Sequence, residues 1–378
     1  VTTNYFFAPK SGFFENNQYY LLGGYSDFTR YNYNGTLDSS FGNAGFQTLS
    51  VPNNTLTLRD MKPNNGAIYA YGTLRPDGTP SPPTNGIIVK LQSNGQPDPT
   101  FGQNGMAIFD LGTSEAIVDI AFNDDGSFYA IANKTQLSQY DDRLVVCKFL
   151  PNGTLDTQFN SIGYKVFDYP STLTTVGIYP SDGQFILASH KDSNDFSKII
   201  ITLMKMDANG NLSPDFGNNG EIQIPIQKNG SSLVYKMQFV NNKIYCHFYW
   251  GFSAFQQGSL LHVYDISTPS VLVGSCPMND DSDFSVLDSG KFMISKGTTY
   301  SYEISRKNLD GTTDITFDND GSFLYDFAPP TVYEGASFFY QHEDGSILIT
   351  GKANNRLNML RISNSTLSTT DINRESSF

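Results

Sequence analysis

The residues able to do chemistry are few and scattered. Four histidines, His190, His247, His262 and His342, stand apart, and none has metal-ligand spacing to another histidine or to a cysteine. Cys147, Cys246 and Cys276 fall in or beside apolar runs and read as buried thiols, with a Cys246–Cys276 bridge as the alternative. Two acidic strings, Asp318-Asn319-Asp320-Gly321 and Asn279-Asp280-Asp281-Ser282-Asp283, set oxygens at alternate positions, as a hard cation requires. Neither ends in the bidentate Glu of an EF-hand loop. Asp318 and Asp320 therefore stand as calcium candidates, and no other metal or cofactor is implied. The chain lacks a Gly-x-Ser-x-Gly elbow, a P-loop and a Rossmann glycine string. Its one tryptophan, Trp250, stands close to Phe252 and Phe255, a grouping suited to stacking on a sugar or anchoring a protein.

Composition narrows the partners. The 378 residues carry a net charge of −13 with only 24 Lys and Arg, the wrong balance for neutralising phosphates or anionic lipid. Nucleic acid is excluded as an expected partner. No apolar run reaches the ~20 residues of a membrane-spanning helix. The densest, Ile199 to Met206, contains Thr202 and Lys205 and reads as a buried strand. Aromatic residues at 14%, with 33 Gly and 18 Pro, suit pleated strands punctuated by turns.

What positions any site is a repeat. The string Gly-x-x-Asp-x-x-Phe-Gly-x-x-Gly occurs as Gly35, Asp38, Phe41, Gly42, Gly45 and again as Gly95, Asp98, Phe101, Gly102, Gly105. A third copy, Gly153, Asp156, Phe159, Gly163, has Asn160 for the middle glycine. The fourth, Gly210, Phe216, Gly217, Gly220, has Ser213 for the Asp, and another, Gly311, Asp314, Phe317, Gly321, has Asp318 in the glycine slot. Between copies a turn pair precedes a short apolar strand, as at Asn65-Gly66, Asp125-Gly126, Asp182-Gly183, Ser289-Gly290 and Asp344-Gly345. A motif that recurs at one hairpin does the same task each time. Its Asp caps turn amides, its Phe is buried between units, and its Gly adopts positive φ.

Four strands per unit of about 54 residues, without helical periodicity, predict an all-β, seven-bladed β-propeller with four antiparallel strands per blade. It forms one domain over residues 1–378. The expected blades span 1–52, 53–111, 112–169, 170–227, 228–276, 277–327 and 328–378. The repeat resembles the delta-60 repeat family over essentially the whole chain, most specifically outside the fifth and last units. That resemblance implies a propeller-like fold, an exported bacterial protein at the cell surface, in the periplasm or secreted, and no established activity.

Function is expected where copies disagree. The segments Leu74–Asn85, Asn133–Asp142, His190–Ser197 and Trp250–Gly258 read as long, dissimilar loops between second and third strands, sharing a face with Ala328–Gly335. Trp250, Phe252, Phe255, His190, Tyr333 and Glu334 are the candidate ligand-face residues. The expected function is non-catalytic binding of a protein or glycan by a monomer. The alternative is a glycan-active or other enzyme using acids or bases on the same face, such as Glu334 or His190.

Overall fold

The computed structural model describes residues 9–78, 83–136, 141–167, 174–181, 184–193, 195, 197–228, 231–253, 256–268, 271–278, 282–287, 289–297, 302–318, 320–325, 334–341, 346–353 and 356–362. They form an all-β propeller of four-stranded antiparallel blades, with a single 3-10 turn at Phe159–Ser161. The first blade comprises Pro9–Glu15, Gln18–Gly23, Asp27–Asn32 and Phe46–Thr48, and the second Asn54–Asn64, Ala67–Pro76, Asn85–Leu91 and Met106–Phe109. The third holds Ser114–Phe122, Phe128–Gln136, Asp141–Phe149 and Tyr164–Phe167, and the fourth Thr174–Ser181, Gln184–Asp192, Lys198–Met206 and Glu221–Gln227. The fifth holds Ser231–Val240, Lys243–Ser253, Gln256–Asp265 and Leu272–Met278, and the sixth Ser282–Val286, Phe292–Gly297, Tyr302–Lys307 and Ser322–Tyr325.

A last sheet has three strands among the described residues, Glu334–Gln341, Ile347–Ala353 and Arg356–Ile362. The structure thus shows six four-stranded blades, which corrects the expected seven. The hairpin motif that carries the chain from third to fourth strand in other blades has lost its Asp and Phe-Gly after Ile362.

The chain divides into two compact units. One comprises residues 25–29 and 39–228, the other residues 1–24, 30–38 and 229–378. In the first, apolar side chains from successive blades interleave: Tyr69, Phe101, Phe128 and Phe149 form one cluster, and Tyr129, Phe159, Phe185 and Met206 another. In the second, the last sheet packs on strands of the first blade, Leu348 and Met359 against Tyr19, Leu21 and Tyr31. There Arg361 lies over the Tyr33 ring at 4.0 Å.

Of the expected long loops between second and third strands, Asn133–Asp142 and Trp250–Gly258 are largely strand among the described residues, whereas Leu74–Asn85 and His190–Ser197 leave the ladder after Pro76 and Asp192. Positions 128–136 and 141–149 pair in continuous register from Phe128↔Phe149 to Gln136↔Asp141. The fifth blade's hairpin runs 243–253 against 256–265, so Trp250 and Phe252 lie on a strand rather than in a loop. Polar residues such as Asn133, Lys134 and Thr135 look like loop chemistry, but a hairpin arm beyond the packed body accepts them because the ladder satisfies their backbone groups.

Candidate functional site

The repeated hairpin is occupied by its own bonding. Eight residues before each motif Asp stands a cation on the third strand. Arg30 meets Asp38 at 2.8 Å, Lys90 meets Asp98 at 2.8 Å, Lys148 meets Asp156 at 3.1 Å and Arg306 meets Asp314 at 2.6 Å. The other carboxylate oxygen caps the turn. Asp98 accepts from the Thr100 amide at 3.0 Å, Asp156 from the Gln158 amide at 3.1 Å and Asp314 from the Thr316 amide at 3.2 Å. The Lys90 ammonium, outweighing burial, holds Asp98 down at about 2. Burial works to raise the Asp314 pKa, but Lys291, Thr316 and Arg306 together hold it below the usual carboxylate range. The cations also lie over rings: Lys90 is 5.6 Å from the Tyr69 centroid and Arg306 is 5.1 Å from that of Phe317. In the fourth blade Ser213 stands in the Asp position and donates to Gln184 at 2.8 Å.

Phe41, Phe101 and Phe159 are buried against the first glycine of the following copy. A Cβ on Gly95 would lie 2.8 Å from the Phe41 ring, at a φ of +86° that side chains rarely adopt. The Gly42 amide donates to the Asn94 carbonyl, and Gly102 to that of Asn152, each at 2.7 Å. Phe317 is also fully buried, whereas Phe216 is partly exposed. Asp318 fills the middle-glycine slot at a φ of 48°. Asn160 fills it with the same φ and donates its amide to the Tyr164 carbonyl at 2.8 Å. Asp318 Oδ1 is buried without a hydrogen-bond partner, and burial followed by the Asp320 charge raises its pKa. Asp320 is exposed and caps the Ser322 amide at 2.9 Å. Among the described residues no group of three or more His, Cys, Asp or Glu side chains could hold a metal.

A second polar system lies on the first strands, and of its members the sequence pointed only to Asp283, within an acidic string. Asp60, Asp119 and Asp283 each accept the amide of the next residue, Met61, Ile120 or Phe284, at 2.8 Å. Asp119 also takes Lys62 Nζ at 2.5 Å, the Tyr71 hydroxyl at 2.9 Å and the Ile178 amide of the fourth blade at 2.9 Å. Tyr71 bonds Asp60 as well, at 3.1 Å. Burial, then the Asp119 and Asp60 charges, push Tyr71 well above the usual phenol range, so this hydroxyl holds its proton and is a poor nucleophile. The findable signal was an Asp placed a few residues before a turn pair in several copies.

The fifth blade differs. Its motif has decayed, and no motif Phe stands against the sixth blade's turn, although Phe284 and Phe292 of the sixth blade pack on Tyr245 and Cys276 elsewhere at the junction. A Cβ on Gly274 would meet the Leu309 carbonyl at 1.9 Å, so backbone approaches backbone there. The first strand of this blade carries the β-bulge that other blades also have (between Leu58 and Asp60, and between Thr175 and Gly177), here between Val234 and Lys236. The bulged residue, Tyr235, is 52% exposed although aromatic. Its ring centroid lies 5.5 Å from that of His247 and 5.8 Å from that of Tyr249, and these two alternate residues share one face of the second strand. Beside them Lys236 pairs with Asp283 of the sixth blade at 2.8 Å and donates to the Phe284 carbonyl at 2.7 Å. His247 is buried and bonded to the Ser259 hydroxyl, and burial takes its pKa down to about 4.

Of the expected ligand-face residues, Trp250 and Phe252 lie on the strand that carries His247 and Tyr249. Phe255 and Tyr333 lie outside the described residues, and Glu334 begins the first strand of the last sheet. His190 is buried in the fourth blade with Nδ1 unpartnered, and burial lowers its pKa to about 4. The Lys228–Asp192 ion pair, at 2.8 Å, influences it electrostatically. All three cysteines are free and buried, which excludes the Cys246–Cys276 bridge, and burial raises each thiol's pKa.

With this geometry in hand, the chain can be set beside known proteins. No protein-family pattern matches it, and no curated protein matches it in sequence. Among solved structures it is similar to Drosophila Semaphorin 2a, with a TM-score of 0.56 and 8% identity over 96% of this chain and 74% of that one. An α-L-arabinofuranosidase from Fusarium graminearum gives 0.48 and 10% identity over 80% of this chain and 91% of that one. The polysaccharide lyase Uly1 gives 0.48 and 11% over 94% and 90%. The likeness is one of fold alone. Among the described residues no helix is long and apolar enough to cross a membrane.

Proposed function

We propose that this chain is a non-catalytic binding propeller of the delta-60 kind, exported from a bacterial cell. Its ligand is held on the fifth blade and the adjoining edge of the sixth. The observation that carries this reading is Tyr235, a half-exposed aromatic ring displayed by a bulge, with Tyr249 and a polar pair beside it. The same first-strand bulge recurs in other blades, between Leu58 and Asp60 or Thr175 and Gly177, but in the fifth the residue standing in it is an exposed aromatic, which offers an apolar face with a polar tip. In the repeated hairpins the Asp, cation, Phe and Gly are committed to one another, and the exposed large residues there, Ile162 and Ile315, are aliphatic rather than aromatic. Catalysis is disfavoured by the same logic: Tyr71 is sealed and proton-bound, and His247 is buried on Ser259.

The test is a glycan-array and pull-down screen with the full chain, repeated with a Tyr235→Ala, Trp250→Ala double variant. A ligand bound by the native chain and lost by the variant, with thermal stability unchanged, supports the assignment. A ligand retained in full by the variant, or lost instead through Val166→Ser on the outer strand of the third blade, overturns it.

A further inference from the structure

We infer that the Tyr235–Tyr249 corner is a saccharide subsite for an uncharged hexopyranose, a deepening that rests on the binding reading above. A pyranose presents an apolar C–H face and a polar hydroxyl edge, and its site must answer both. The face is answered by Tyr235, 52% exposed, with Tyr249 tilted by 48° at 5.8 Å, so that two rings form a corner rather than a flat stack. The edge is answered by Lys236 and Asp283, whose side chains are 34% and 30% exposed while paired at 2.8 Å. An ammonium and a carboxylate side by side offer donors and acceptors to neighbouring hydroxyls without breaking their own attraction.

Charge decides between sugars. Lys236 and Asp283 cancel, so the subsite has no uncompensated cation for a uronate or sialate. The neighbouring His247 is neutral at physiological pH, since burial takes it to about 4. A chain of net charge −13 also repels polyanions at low ionic strength. A protein partner fits less well: among the described side chains of this blade, the other exposed large apolar residues are Val271 and Leu272, by its fourth strand, about 14 Å across the sheet at ~4.8 Å per strand.

The experiment is calorimetric titration of the full chain with cellohexaose, mannohexaose and maltohexaose, and with hexagalacturonate as the charged counterpart. At least one neutral hexaose is expected to bind saturably, and hexagalacturonate at least tenfold more weakly. Tyr235→Ala is expected to weaken the neutral ligand tenfold or more, Tyr235→Trp to keep it within about threefold, and Asp283→Asn to weaken it several-fold. Silence of all three neutral sugars at millimolar concentration, tighter binding of hexagalacturonate, or unchanged affinity in Tyr235→Ala would each overturn the inference. If the neutral sugars are silent while another ligand from the array or pull-down is lost with Tyr235, the saccharide assignment falls and the binding reading survives.

Discussion

The motif hairpins of the second and third blades and the first-strand bulge of the fifth use similar side chains to opposite ends. Around Lys90, Asp98 and Phe101, each polar group has a partner and each ring is covered. Around Tyr235, Lys236 and Asp283, the same ingredients (a ring, a cation and a carboxylate) are left half open to solvent. Phe101 is roofed by Gly153, whereas the fifth copy has no motif Phe and its Gly274 meets the Leu309 carbonyl directly. The two regions differ in exposure more than in ingredients.

Phe101→Ala should show the contrast at its largest. Losing a fully buried ring should cost about 3–5 kcal/mol in urea unfolding, against less than about 0.5 kcal/mol for Tyr235→Ala. Equal costs would mean the fifth-blade ring is packing, not display. Next, Asp98→Ala strands the Lys90 ammonium among Tyr69 and Phe101 and should cost about 3 kcal/mol. Asp283→Ala, whose pair is more exposed, should cost about 1 kcal/mol or less.

Acid should act on the histidines before it reaches the motif. His190 and His247 have folded pKa values of about 4, below the 6.5 of the unfolded chain, so the unfolded state binds protons first. Stability is then complete above pH 6.5 and falls as pH drops towards 4, and His190→Gln with His247→Gln should flatten that slope in urea midpoints. An unchanged slope would place the acid sensitivity elsewhere. Asp318→Asn is expected to stabilise by about 1 kcal/mol at pH 7 by restoring the amide donor that Asn160 provides. Because Asp318 has a raised pKa, the native chain should recover that difference below pH 4, where the carboxyl keeps its proton; a pH-independent gain would refute this.

The fold was legible where the residue type has one structural use. The Gly and Phe-Gly positions announce a turn needing positive φ and a ring needing cover, and Asn160 at a φ of 48° shows how far that slot bends. The cation eight residues before each Asp was equally regular but hidden, because Arg30, Lys90 and Lys148 sit in strands where a lone basic residue looks like solvent-facing alternation. Strand lengths were misread for the opposite reason. Polar arms such as 133–136 and 141–143 satisfy their backbones by pairing, and pairing leaves no mark in composition. Tyr235 was illegible too, since the first-strand register slip that holds it, shared with other blades, leaves no mark in the residue types.

The roof that Gly95 places over Phe41, and Gly153 over Phe101, lies one repeat further along the chain. As the polypeptide emerges from a ribosome, each of these early blades therefore waits, ring uncovered, for its successor. Synthesis that stalls inside this stretch leaves a single bare phenylalanine at the growing end, which is the surface a nascent-chain chaperone would have to shield.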